Sequence, residues 1–297
     1  MSQAAAASSS TYQPPPGRLG NLSQKEQGIL EIFRTDLSSD PNFPWTPARH
    51  DDATLLRFLR ARKFDLAKSK EMIHAAEKWR KDFGVDDIVK SFQFPEKEEV
   101  NKYYPQYYHK TDKEGRPIYI EVLGKLDFTK LYAVTTEDRL LKRLVLEYER
   151  FLTERLPATS EMVGHPVETS CTILDLNNVG LGNFYRVKNY VSQASAIGQN
   201  YYPECMGKFY IINAPYLFTT VWSVVKRWLD EVTVAKIQIM SNGHKEVLLK
   251  QIDAENLPSE FGGNCKCEGG CSLSDEGPWK HRHPASSSAD AAPSTSS

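Results

Sequence analysis

Lys208-Phe-Tyr-Ile-Ile-Asn-Ala-Pro215, then residues 216–230, then Glu231-Val-Thr-Val-Ala-Lys-Ile-Gln-Ile-Met240, is the stretch around which the rest of the chain organises. Its two short apolar runs, residues 209–212 and 235–240, are rich in aromatic and β-branched side chains, and the segment between them carries a helical period. A βαβ pattern follows, and with it a parallel sheet. At 100° per residue, Phe218, Val221, Trp222, Val224, Val225, Trp228 and Leu229 share one side of the helix, and Thr219, Thr220, Ser223, Lys226 and Arg227 the other. Such a broad apolar face suits an ordinary crossover helix packed on its sheet. It equally suits a lid that closes an apolar cavity and swings away from it, and periodicity alone does not separate the two.

Working outward, 297 residues at 40% hydrophobic content can bury a sizeable core, as one large domain or as a large domain with a small helical one. A net charge of −1 offers no basic excess to hold a phosphate backbone, so nucleic acid is not expected as a partner. No apolar run approaches the roughly 18 residues of a spanning helix, and the first ten residues have neither a charged nor an apolar leader region, which points to a soluble, cytosolic protein. Five cysteines fit a reducing compartment better than a disulfide framework.

Residues 1–20 and 281–297 are Ala-, Ser- and Pro-rich and nearly free of large apolar groups, and both read as disordered tails. Residues 22–37 read as a helix, and a Pro-rich link (Pro41, Pro44, Pro47) leads to a second over 53–63, after Asp51 and Asp52. On that second helix Leu55, Phe58 and Leu59 define the inward face, Arg57 and Arg60 point outward, and Arg62 returns to the apolar side. Arg62 is either a cation snorkelling from a helix C-terminus or, with Lys63, half of an anion site. A third helix runs from an N-cap at Asp65 to Phe83 and stops at Gly84. Residues 21–94 thus form a helical N-terminal unit.

Beyond it, strands are expected near 117, 170, 209 and 236, with helices over 137–156, opened by Thr135 or Thr136 and stopped at Pro157, and over about 187–199. Parallel strands buried on both faces should be apolar on both. Here Tyr119, Glu121, Ser170 and Thr172 fall on alternate positions and Lys236 opens a strand, so one face looks at water or at a partly polar cavity.

The motifs of common catalytic sites are missing: there is no Gly-x-Ser-x-Gly, phosphate loop, His-Glu-x-x-His or complete Gly-x-Gly-x-x-Gly. His109, His165 and Ser170 lack a spacing that would fix a nucleophile beside a base, and Asp175 is no stronger a candidate. Cys265-x-Cys267-x₃-Cys271, with His281 and His283 following, matches the usual zinc spacings poorly and reads as a reduced, solvent-exposed loop, so no metal is expected.

Several longer motifs occur in order between Asp51 and Trp279: Leu55-Leu-Arg-Phe-Leu-Arg-Ala-Arg-Lys-Phe64, Tyr104-Pro-Gln-Tyr-Tyr-His-Lys-Thr-Asp112, Gly115-Arg-Pro-Ile-Tyr119, Glu168-Thr-Ser-Cys-Thr172, Asn200-Tyr-Tyr-Pro-Glu204, Met206-Gly-Lys-Phe-Tyr-Ile-Ile-Asn-Ala-Pro215, Leu248-Leu-Lys-Gln-Ile252 and Ala254-Glu-Asn-Leu-Pro258. Together they closely resemble the CRAL-TRIO lipid-binding family, and within it the fungal phosphatidylinositol/phosphatidylcholine transfer proteins of the secretory pathway.

The resemblance implies an α/β domain over 95–263, whose mostly parallel sheet floors an apolar pocket closed by a gate helix at 216–230, with 264–280 as an extension packed on it. By position, Arg62, Lys63, Glu204, Thr233 and Lys236 would meet the phosphatidylinositol headgroup. Tyr108, Tyr119, Ser170 and Thr172 would meet phosphatidylcholine, and Phe218, Val221, Trp222, Val225 and Trp228 would line the gate and acyl-chain cavity. It further implies a non-enzymatic, monomeric carrier without cofactors. Such a carrier docks transiently on Golgi or endosomal membranes and presents phosphatidylinositol to a lipid kinase; the rival is a family member binding a sterol or tocopherol-like molecule.

Two acyl chains of about sixteen carbons, at roughly 0.8 kcal/mol per CH₂, would cost on the order of 25 kcal/mol in water. The carrier's cavity must therefore be dry and open only against a bilayer. Two positions depart from the family pattern: Cys205 stands where an arginine is commoner, and Arg227 where a proline is.

Overall fold

The computed structural model describes residues 12–179, 181–216, 218–229 and 231–280. Three helices open the chain. α1 (Gln24–Ser39) begins with a capping box in which Ser23 and Glu26 satisfy each other's backbone N–H groups. α2 (Asp52–Ala61) and α3 (Leu66–Phe83) start at Asp51 and Asp65, whose carboxylates accept the Thr54 and Lys68 N–H groups. Leu30, Phe33, Leu37, Leu55, Leu56, Leu59 and Ile73 form their shared core.

Gly84 ends α3 in the left-handed region (φ 72°, ψ 39°), its N–H returning to the Arg80 and Lys81 carbonyls. A Cβ at Gly84 would meet no atom within 4 Å. Gly84→Ala should therefore cost only the backbone penalty, about 1 kcal/mol, read as a lower urea midpoint at unchanged m. An unchanged midpoint would mean that the left-handed cap is not maintained.

α4 (Val85–Ser91) and α5 (Lys97–Tyr103) lead to a five-stranded sheet made of β1 (Gln106–Thr111), β2 (Pro117–Val122), β3 (Ser170–Asp175), β4 (Met206–Ile212) and β5 (Ile237–Ile239), in that spatial order. β1 and β2 form an antiparallel hairpin and the remaining pairings are parallel. Four strands lie where the periodicity put them. β1 is an addition, overlooked because Gln106-Tyr-Tyr-His-Lys-Thr111 neither alternates nor runs apolar.

Between β2 and β3 come α6 (Phe128–Val134), α7 (Glu137–Arg150), with Thr136 as its cap, and α8 (Leu156–Val163). Pro157, expected to end the helix that begins at 137, does not. A π-turn over Phe151–Arg155 intervenes, and Pro157 occupies the first turn of α8, where its missing N–H is not needed. α9 (Leu181–Tyr201) crosses to β4.

The expected single helix over 216–230 is shorter. α10 (Phe218–Val225) tightens into a 3₁₀ turn, Lys226–Trp228, and a separate α11 (Glu231–Ala235) precedes β5. α12 (His244–Gln251) and the brief α13 (Cys271–Ser274) follow.

The two sheet faces differ. Ile118, Ile120, Cys171, Ile173, Tyr210 and Ile212 pack against Leu248, Ile252, Leu257 and Phe261 in a dry core. The opposite face looks toward α7, α9 and α10 across the space described below. The helical unit is docked on this domain by Trp79 stacked on Tyr201 (4.1 Å between centroids) and by Arg80, which donates to Glu149 (2.8 Å).

Residues 12–20, expected to belong to a disordered tail, are instead held. Tyr12 stacks on His165 at 3.9 Å, Arg18 pairs with Glu168, and Arg60 Nη1 donates to the Gly17 carbonyl at 3.0 Å. Composition missed this because two side chains and one carbonyl make the anchorage, not an apolar run. The 281–297 expectation lies outside the described residues. Among the described residues no helix is long and apolar enough to cross a membrane.

Candidate functional site

The alternation on β2 and β3 resolves in favour of a cavity. Strand register sets Tyr108, Tyr119, Thr172, Phe209 and Ile237 side by side in one row across all five strands, and Glu121, Leu174 and Ile211 in a parallel row. All eight line one space of about 1080 Å³, with Tyr148 and Phe151 as one wall, Tyr190, Val191 and Ala194 of α9 as another, and Phe218, Val221, Trp222 and Val225 as the roof. This is at or above the ~300–1,000 Å³ of drug-sized ligand sites. Its residues are apolar along α10, and polar side chains enter it from several elements, of which two sets stand out.

The first polar cluster comprises Arg62, Lys63, Glu204, Thr233 and Lys236, all on the cavity lining. Arg62 follows the last turn of α2, and the next two residues enter the left-handed region (Lys63 φ 52°, Phe64 φ 58°), closed by the Phe64 N–H on the Leu59 carbonyl at 2.7 Å. Glu204 is also left-handed (φ 57°), in the turn between α9 and β4. Such backbone is costly for residues with a Cβ and concentrates at functional sites.

Glu204 Oε2 lies 3.8 Å from Lys236 Nζ and 3.8 Å from Arg60 Nε, too far for hydrogen bonds, so these charges are adjacent without being locked together. The Lys236 side chain keeps 25% of its exposure. Four cations, Arg60, Arg62, Lys63 and Lys236, thus line the space, and two of them flank Glu204, a charge set that suits a phosphate.

The second cluster lies on the floor. Ser170 and Thr172 are buried, with their hydroxyls 3.4 Å apart and Ser170 Oγ 3.4 Å from the Cys205 carbonyl. Beside them Tyr108 and Tyr119 tilt together at 5.1 Å between ring centroids, and Tyr108 stacks on Phe151 at 5.7 Å. Burial pushes both phenols well above their ordinary range, so they stay neutral donors. Glu121 accepts from Tyr104 (2.5 Å) and Tyr119 (3.4 Å), and burial raises its carboxyl against those bonds. Hydroxyls suit a phosphate, and aromatic faces with a carboxylate suit a quaternary ammonium.

Several expectations change at this level. Arg57 and Arg60 do not face solvent. Arg57 is buried and donates to Cys205 Sγ at 3.0 Å, while Arg60 bonds Glu168 at 3.0 Å. Helical phase alone treated the far side of α2 as water, yet the α/β domain covers it. Burial, then the neighbouring Arg18 cation, lowers Arg60 to about 10. The Arg57 contact also gives the unusual Cys205 a place: its sulfur takes a hydrogen bond from a buried guanidinium.

Trp228, expected on the cavity wall, sits in the 3₁₀ turn off the lining, because the tightening after Val225 rotates the residues that follow, and Val224, within α10, is 38% exposed. No hydrolytic set forms from His109, His165 and Ser170. His165 stacks on Tyr12, His109 faces Cys265 and Ser274, and Ser170 faces Thr172. Asp175 is tied to Asn213 and the Asn177 N–H.

The site also contains groups given no role by sequence: Glu121, Tyr148, Phe151 and, behind Tyr108, the buried Arg155, whose guanidinium lies 4.2 Å from the Tyr108 ring. The i, i+4 spacing Leu144, Tyr148, Leu152 and Arg155 three further is ordinary helix patterning and carries no such signal.

Comparison with known proteins places these features in context. Residues 101–263 match the CRAL/TRIO domain model and residues 29–75 the CRAL/TRIO N-terminal domain model. The chain is 53% identical over 265 residues to the Sec14 cytosolic factor of Schizosaccharomyces pombe, covering 89% of this chain and 91% of that one. It is 54% identical over 267 residues to the SEC14 cytosolic factor of Kluyveromyces lactis, covering 89% and 87%. It is 46% identical over 259 residues to the phosphatidylinositol/phosphatidylcholine transfer protein SFH4 of Arabidopsis thaliana, covering 86% of this chain and 42% of that one. Among solved structures, Sfh5 superimposes with a TM-score of 0.58 at 17% identity, over 82% of this chain and 85% of that one, a likeness of fold.

Proposed function

The chain belongs to the CRAL-TRIO family, and from that premise we propose that it is a phosphatidylinositol/phosphatidylcholine transfer protein, holding one phospholipid at a time and exchanging it at membrane surfaces. The observation that carries this reading is a single space of about 1080 Å³ whose lining holds both cations, Arg62, Lys63 and Lys236, and hydroxyls, Ser170 and Thr172 with Tyr108 and Tyr119. One cavity with two headgroup stations lets two lipids compete for the same acyl-chain volume. The cationic cluster of Arg62, Lys63 and Lys236, with Glu204 and Thr233, would take the inositol phosphate, the carboxylate accepting inositol hydroxyls. Tyr108, Tyr119, Ser170 and Thr172 would take phosphocholine.

α10 is the natural gate. It contributes Phe218, Val221, Trp222 and Val225 to the lining, while Val224, at 38% exposure, Lys226 and Arg227 are exposed, and at the mouth the exposed Tyr216 and Val232 flank it. Apolar groups flanked by cations suit contact with an anionic bilayer. An opened gate would meet lipid there, so that acyl chains pass from bilayer to cavity without crossing water.

The chemistry is binding and not catalysis, the carrier is a cytosolic monomer visiting Golgi or endosomal membranes, and presentation of phosphatidylinositol to a lipid kinase follows from the exchange. Mass spectrometry of lipids extracted from the purified protein tests the reading. Phosphatidylinositol and phosphatidylcholine are expected in sub-stoichiometric amounts that add to one per chain. A sterol or a tocopherol-like molecule in their place would favour the rival.

A further inference from the structure

We propose that His109, Cys265, Cys267 and Cys271 form a structural zinc site that staples the segment 264–280 to β1. The Nδ1 or Nε2 atom of His109 and the three sulfurs all lie within 4.8 Å of one another, although β1 and the cysteines are about 150 residues apart in sequence. Cys265 Sγ is 3.3 Å from His109 Nε2 and 3.8 Å from Cys267 Sγ. A tetrahedral zinc with metal–sulfur bonds of about 2.3 Å has ligand–ligand edges of about 3.8 Å. Two of the six edges are therefore close to those of a closed Cys₃His site, and the rest are short enough for a metal ion to draw the four side chains onto it.

The surroundings fit the same chemistry. Gly262, Gly269 and Gly270 adopt left-handed φ of 95°, 70° and 91°, which lets the short loop double back so that Cys265, Cys267 and Cys271 face one point. Ser274 Oγ is 3.4 Å from His109 Nδ1, the ring nitrogen that a metal on Nε2 leaves free, as an outer partner that sets the ring's orientation. Thiolate-rich tetrahedral sites select zinc over harder cations. On binding, the three thiols release their protons and the imidazole ligates as the neutral ring.

A staple has something to do here. Within 264–280 only Cys265 and Trp279 are buried, too little apolar surface to hold a segment of that length. Yet Trp279 stands edge-on to Tyr108 at 6.4 Å between centroids, with the Arg155 guanidinium over both rings, 4.2 Å from Tyr108 and 5.6 Å from the indole. Tyr108 is the chain neighbour of His109 and faces the cavity. The ion would thus fix, from the opposite side of β1, the backing of the phosphocholine cluster. Sequence spacing failed to suggest this because the ligand that completes the set comes from β1, far away in the chain, and not from the histidines that directly follow the cysteines.

The test uses the full chain purified under reducing conditions. Plasma mass spectrometry should find zinc in one-to-one ratio with protein. Cobalt(II) added after zinc removal should give the intense visible absorption of tetrahedral cobalt thiolate. Cys267→Ser, at a half-buried position, should lose that absorption, and Ser274→Ala should keep it with an affinity weaker by about 10-fold. Chelation should speed proteolysis within 264–280. Metal-free protein that gives no such cobalt spectrum, or a Cys265–Cys267 disulfide found in the native protein, would overturn the proposal. The zinc content of the unmodified chain decides it even if Cys267→Ser does not fold, and it is independent of which lipid is bound.

Discussion

Lys236→Ala is expected to lower phosphatidylinositol transfer between vesicles by about 10- to 150-fold, because a hydrogen bond to a charged group contributes about 1.5–3 kcal/mol. Phosphatidylcholine transfer by the same variant should stay within about twofold of the unmodified protein, since Lys236 precedes β5, which β4 separates from the Ser170 and Thr172 of β3. The fold should tolerate the change. The Lys236 side chain is a quarter exposed, and its ion pair with Glu204, at 3.8 Å, is long. The measurement is a pair of transfer assays, with labelled phosphatidylinositol and labelled phosphatidylcholine, on one preparation. Equal loss of both activities would mean that Lys236 acts on the gate or on stability, and undamaged phosphatidylinositol transfer would remove it from the headgroup site.

Ser170→Ala combined with Thr172→Val should give the reciprocal result, a loss of phosphatidylcholine transfer of at least about 10-fold with phosphatidylinositol transfer largely kept. The reasoning is one of satisfaction: a phosphate brought into a buried apolar space must find donors there, and these two hydroxyls are buried, 3.4 Å apart, and on the cavity floor. Neither carries a hydrogen bond on which the sheet depends, as the Ser170 N–H and not its hydroxyl makes the 2.8 Å ladder contact with Cys205. Proportional loss of both lipids would show that the two clusters are not separate stations.

Much of the architecture is legible in the sequence because it is local. Asp65 and Gly84 bound α3 as their chemistry demands, and the βαβ pattern around residues 208–240 carries the parallel pairing of β4 with β5. The period-two placement of Tyr119, Glu121, Ser170 and Thr172 announced that one sheet face was not an ordinary core. The misses share a cause. Pro157 does not end the helical run because the π-turn before it lets α8 start afresh with the proline in its first turn, and Arg57 and Arg60 turn inward because a second domain covers their side of α2.

What the sequence by itself determined is the list of elements, their facing and the kinds of groups left out of place: Arg62 on an apolar stripe, Lys236 at the head of a strand, hydroxyls among β-branched residues. Short-range terms dictate these, since capping, helical phase and pleat act within a few residues. Only the tertiary structure decided that the polar face encloses about 1080 Å³ instead of meeting water, and that His109 stands against three cysteines from the far end of the domain. Both depend on strand order and on how the layers pack. Residues far apart in sequence become neighbours only through that packing, and no local period encodes the distance between them.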